Sequence, residues 1–138
     1  MVDRPLVLRK FAELERHLAQ IQEITPITAE VYSKDWKIQR VAERTLQIMI
    51  ELCVDIANHV ISDKGYRVPV SYADTFKVLK EEGLLHGELQ EALEKMAKFR
   101  NILVHHYDRI EPSIIVDILN HRLKDFLRYR EAILSCLR

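Results

Sequence analysis

The sequence predicts an all-α protein, an up-and-down helical bundle of about five helices forming a single domain over residues 1–138, and three observations carry that prediction. Apolar residues recur at steps of three and four over long stretches, which is the period of one helix face. No segment shows the strict alternation of a half-buried strand. Only 3 Gly and 4 Pro occur, so breaks are few and the segments between them are long. A composition of 48% hydrophobic and 30% charged residues belongs to a folded globular chain rather than a disordered one.

The first helix is expected from Pro5 to about Ile24, where Val7, Phe11, Leu14, Leu18 and Ile21 form a 4-3-4-3 stripe. Pro5 suits a first helical position and Thr25-Pro26 ends the run. The stripe suits packing on its own bundle, with a dimerisation surface as the other use of such a pattern. The second helix is expected from about Thr28 to Ser62 on a face of Ile38, Val41, Ala42, Thr45, Leu46, Met49, Leu52, Cys53, Ile56, Ala57 and Val60, and Asp63-Lys64-Gly65 closes it. After a loop containing Pro69, Ser71 to Asp74 reads as an N-cap box for a short third helix anchored by Phe76, Val78 and Leu79 and stopped at Gly83. The fourth helix starts near Gly87, turns Leu89, Ala92, Leu93, Met96, Phe99 and Leu103 inward, and ends near His106 to Asp108. The fifth starts at Pro112 and carries Ile115, Ile118, Leu119, Leu123, Phe126, Leu127, Ile133, Leu134 and Leu137.

Charge and cysteine usage narrow the function. Lys plus Arg and Asp plus Glu are 21 each, so the molecule as a whole does not hold nucleic acid by bulk charge. Any RNA contact must come from a local basic patch. Cys53 and Cys136 are distant and sit in apolar helical patterns, which reads as reduced packing thiols; with no clustered Cys/His set, no metal site and no cofactor are expected. No apolar leader and no run of membrane-spanning length occurs, so no membrane association and a cytoplasmic location are the expectation.

One stretch carries chemistry: Arg100-Asn101-Ile102-Leu103-Val104-His105-His106-Tyr107, at the end of the fourth helix. At about 100° per residue, Asn101 and His105 share a face that points away from the core, and Arg100 sits at the border of that core. Tyr107 falls on the core side if the helix persists that far. The set suits phosphodiester chemistry. An arginine never loses its charge and grips phosphate with two N–H groups. A histidine moves protons near neutral pH, and an adjacent amide can fix its tautomer.

This pattern, R-N-x-x-x-H-x-Y, resembles the signature of the HEPN superfamily and, within it, the HepT-like ribonuclease toxins. The flanking text resembles the family too: AERTLQIMIELCVDIANHVIS in the second helix, YADTFKVLKEEGLL in the third and FRNILVHHYDRI in the fourth, so that the likeness covers about Lys37 to the C-terminus. The resemblance implies a homodimer in which the motifs of two protomers meet in one cleft. It implies metal-independent RNA cleavage, with Arg100, Asn101 and His105 as catalytic residues and two copies of His105 sharing the base and acid roles. It also implies a nucleotidyltransferase antitoxin that transfers AMP to Tyr107, where a bulky anion beside the site would block phosphate entry. The alternative within the superfamily is a companion subunit that binds a nucleotide and cuts nothing; blander still is a helical dimerisation domain.

Other residues stand nearby. His106 points about 100° away from His105 and is a candidate second proton carrier. Asp55 and His59, four apart on the second helix, are candidates for a wall of the site, and related proteins often keep an acidic residue near there. Lys34, Lys37, Arg40 and Arg44 make a basic stripe that could guide RNA or touch the partner, with a solvated face near Glu30 and Glu43 as the plainer reading; Trp36 among them could stack on a base, though a helix-border anchor is the commoner role.

Overall fold

The computed structural model describes residues 2–137, and among these there are helices and turns and no strand. Helix α1 spans Arg4–Gln22, capped by the Asp3 carboxylate, which accepts from the Leu6 amide at 3.1 Å. Its five predicted core residues, Val7, Phe11, Leu14, Leu18 and Ile21, are all buried, and the stripe packs on the chain's own bundle.

The expected second helix is two. Helix α2 (Ala29–Lys34) ends at Asp35, whose backbone is extended at φ −119° and ψ 97°. The same Asp35 side chain accepts from the amides of Lys37 and Ile38 and starts helix α3 (Trp36–Lys64). A side chain that satisfies two orphan amides of a new helix favours the break over a continuous run. Helix α3 has 29 residues, so it is roughly 44 Å long at 1.5 Å per residue. It ends as expected at Gly65, which is left-handed at φ 69°, while Tyr66 donates back to the Ile61 carbonyl at 3.0 Å.

Helix α4 (Tyr72–Glu81) is capped by Ser71, and helix α5 (Gly87–His105) packs along both α4 and α3. Helix α6 (Pro112–Asp117) begins at the predicted proline. The expected fifth helix does not run on unbroken: Ile118–Arg122 forms a π-turn before α7 (Lys124–Cys136). The π-turn presents Asn120, whose amide donates to the Ile27 carbonyl (2.7 Å) and accepts from the Ile27 amide (2.9 Å), tying the α1–α2 connection to the C-terminal half.

Tyr129 of α7, absent from the expected core face, is its hub. Fully buried, it meets Phe11 at 5.9 Å and Phe76 edge-on at 5.8 Å, and its hydroxyl donates to the Cys53 carbonyl at 2.8 Å. Two residues assigned to apolar faces, Val41 and Leu127, are exposed instead; each lies at the margin of its helix's buried arc. Cys53 is buried and its thiol pushed up by that burial, whereas Cys136 is exposed. Among the described residues no helix is long and apolar enough to cross a membrane.

Candidate active site

The motif sits where α5 runs out. Arg100 is on the last inward-facing turn, and its side chain, only 17% exposed, lies across α3 and α4. Its Nε and Nη2 both donate to Oε1 of Glu51 on α3, at 3.0 and 2.8 Å. The guanidinium carbon stands 4.7 Å from the ring centre of Tyr72, the first residue of α4. Its Nη1 reaches only the neighbouring Asn101 Oδ1, at a long 3.4 Å. The arginine is thus pinned from two helices along one edge while its other edge keeps donors to spare.

Glu51 is held as an anion. Burial pushes its carboxyl up, but hydrogen bonds from Gln47 and Arg100 and the charges of Arg100 and Arg44 outweigh that and keep it below the ordinary carboxylate range.

Asn101 and His105 are exposed on the outer face of α5, as their spacing predicts. The Asn101 amide oxygen is turned to Arg100, so in this conformation it serves the arginine rather than His105. Tyr107 departs from the expected core-side position. The helix stops at His105, His106 leaves helical geometry at φ −138° and ψ 42°, and Tyr107–Arg109 forms a 3₁₀ turn with Tyr107 68% exposed. The chain reverses there, ahead of Pro112, and this carries Tyr107 off the inward face. His105, His106, Tyr107 and Asp108 therefore stand consecutively in solvent.

Asp55 and His59 turn toward α1. The Asp55 carboxylate is 3.9 Å from Lys10, and His59 Nε2 accepts from the Asp3 amide at 3.3 Å. The α3 carboxylate that reaches the motif arginine is Glu51, one turn earlier. Sequence reasoning missed both Glu51 and Tyr72. Glu51 is 49 residues from Arg100 and had only its place four before Asp55 to recommend it; Tyr72 read as part of a capping segment. A groove of about 540 Å³ between α5 and α6, floored by Met96, Phe99, Ile114 and Ile118, includes none of the motif residues.

Known proteins resemble this chain over most of its length. Residues 14–133 match the ribonuclease HepT-like family. The chain is 30% identical over 128 residues to an mRNA nuclease HepT of Shewanella oneidensis, covering 93% of this chain and 96% of the relative. It is 26% identical over 134 residues to a tRNA nuclease HepT of Aphanizomenon flos-aquae, covering 96% and 91%. Among solved structures, a toxin–antitoxin complex with AMP-PNP superposes with a TM-score of 0.89 at 29% identity, covering 96% of this chain and 99% of that one. A tri-AMPylated HEPN toxin of Shewanella oneidensis in complex with its MNT antitoxin gives 0.87 at 30% identity, covering 98% and 99%.

Proposed function

Because this chain belongs to the HepT-like ribonuclease family, we propose that it is a toxin that cuts RNA as a homodimer, without a metal ion, and that a nucleotidyltransferase antitoxin silences it by adding AMP to Tyr107. The observation that carries this reading is Arg100: an arginine fixed on one edge by Glu51 and Tyr72, with unspent donors on the other, close in sequence to an exposed histidine. A guanidinium held in this way meets a phosphodiester without first having to be ordered.

In the proposed reaction Arg100 donates to the non-bridging oxygens and stabilises the charge that builds on them. One His105 takes the proton of the ribose 2′-hydroxyl, whose oxygen attacks phosphorus. The P–O5′ bond breaks, and His105 of the second protomer gives a proton to the departing 5′-oxygen. The products are a 2′,3′-cyclic phosphate and a 5′-hydroxyl, and no metal enters the balance. With one motif histidine per protomer, a second copy supplies the partner for the other proton transfer. Silencing would attach AMP through the Tyr107 phenol oxygen, with loss of its proton and release of pyrophosphate from ATP. The exposed hydroxyl is open to a partner enzyme, and the bulky anion would sit two residues from His105. We place both reactions in the cytoplasm, where ATP for the modification and RNA for cleavage are at hand.

The test is purified protein with RNA and excess chelator. The parent is expected to yield cyclic-phosphate ends, and His105→Ala to lose about 10²- to 10⁴-fold in rate with an unchanged helical spectrum. Cleavage by His105→Ala at the parent rate would sink the assignment. Tight AMP binding with no RNA products would mark a nucleotide-binding companion instead.

A further inference from the structure

Helix α3 begins with the one tryptophan in the chain, and Trp36 is 64% exposed. Large aromatic rings are normally covered, so this one has a vacant face to account for. Its companions are basic. Lys37 Nζ stands 5.8 Å from the ring centre, and Arg40 and Arg44 are exposed. At about 100° per residue, Trp36, Arg40, Arg44, Gln47 and Glu51 fall within an arc of roughly 80°, forming one stripe down α3. The stripe ends at the carboxylate that holds Arg100.

The acids nearby sense the stripe's charge, Glu43 that of Arg40 and Glu51 that of Arg44, but none closes an ion pair with it. Glu30 pairs with Lys34 at 3.1 Å. Glu43 is half-buried beside the Tyr32 hydroxyl, and burial pushes its carboxyl up. Glu51 is held by Arg100. Among the described residues Lys37, Arg40 and Arg44 form no ion pair. Nor is the stripe an apolar patch of the sort that marks a protein interface, since the exposed Val41 lies about 140° around the helix from Trp36.

Resting on the ribonuclease reading above, we infer that this stripe is a track for single-stranded RNA. A base stacks on Trp36, the phosphates run over Arg40 and Arg44, and the strand arrives at Arg100. The distance from Trp36 to Glu51 is roughly 22 Å along the helix axis, about six nucleotides at a stacked spacing of roughly 3.4 Å. An aromatic platform beside unpaired guanidinium groups binds single strands with little regard for base identity.

The experiment uses the full chain carrying His105→Ala, which keeps the strand intact, titrated with an unstructured oligouridine longer than the track. Fluorescence reports on Trp36 alone. The oligouridine is expected to quench it, and Trp36→Ala to weaken binding about tenfold, with Trp36→Phe recovering most of the loss. Arg44→Ala should make the dependence of log affinity on log salt shallower by about 0.7. Binding that leaves the fluorescence untouched and is unmoved by Trp36→Ala overturns the track. So does a Trp36→Ala variant that keeps its RNA affinity while losing self-association or antitoxin, since the face would then be a protein interface. If the parent cuts RNA and the Trp36 variant equals it, this inference alone fails; if the parent neither binds nor cuts RNA, the functional reading falls with it.

Discussion

Two arginines reach α4, one from the loop before it and one from the helix after it, and the difference between them separates a structural clamp from a site. Arg67, in the loop before α4, is closely held: Nη1 and Nη2 clasp the two Asp74 oxygens at 2.7 and 2.8 Å, while Nε and Nη2 hold Glu81 at 2.8 and 2.9 Å. Two carboxylates face one guanidinium and take four of its five N–H donors, so its charge is fully answered and no open edge is left for an anion. Arg100 has one carboxylate, spends two donors on a single oxygen of it, and stands over an aromatic ring, 4.7 Å from its centre. Its charge is balanced and its position fixed, yet an edge stays free. An arginine built to bind an anion is recognised by the donors it keeps.

Exchanging the two roles gives the largest expected effect. Arg100→Ala should lower RNA cleavage by about 10²- to 10³-fold, the range for removing one stabiliser of transition-state charge, with a loss of melting temperature, from the stranded Glu51, too small to account for it at assay temperature. Arg67→Ala should lower the melting temperature and leave the cleavage rate of the folded protein at the parent value. Paired thermal melts and single-turnover cleavage on the two variants check this. Equal damage to both quantities in both variants would erase the distinction.

The same comparison explains what the sequence made legible. The motif residues and their outward face follow from spacing within one helix, because Arg100, Asn101 and His105 are local to each other. The α1 stripe and the stops at Gly65 and Pro112 are local as well. What could not be read is what crosses between helices. Glu51 comes to Arg100 only because α3 and α5 pack at that level, and Tyr72 slides under it because α4 starts there. Asp55 and His59, which looked equally suited, turn toward Lys10 and Asp3. The breaks at Asp35 and at the π-turn were hidden for a related reason: apolar periodicity continues across both, and only the capping of α3 and the tie to Ile27 reveal them.

A smaller effect sharpens the comparison on the Arg100 side. The Tyr72 ring contributes the cation–π contact that Arg67 lacks. Such contacts are worth about 0.5–1 kcal/mol where partly exposed, so Tyr72→Leu should slow cleavage two- to fivefold, roughly the rate factor that this energy gives. The loss should appear mainly in kcat, because the ring orders a guanidinium that acts on the developing charge. A Tyr72→Leu enzyme that cuts at the parent rate would mean that Glu51 alone positions the arginine.

The smallest effect concerns pH, and it is read on the Arg67 side. Hydrogen bonds from Arg67, then from the Val70 amide, hold the Asp74 carboxyl at about 2, against an ordinary value of 3.8. Arg67 likewise lowers Glu81. A carboxyl whose folded-state pKa is depressed stabilises the fold fully above its unfolded value and loses that contribution as pH falls through the folded one. The melting-temperature gap between the parent and Arg67→Ala should therefore stay constant from about pH 8 to about pH 5, and narrow between about pH 4 and about pH 2. Thermal melts of both proteins across that range measure the gap directly. A gap that widens with acid would mean that the clamp is held by something other than ionised Asp74 and Glu81, and Arg67 would no longer be the closely held counterpart against which Arg100 is judged.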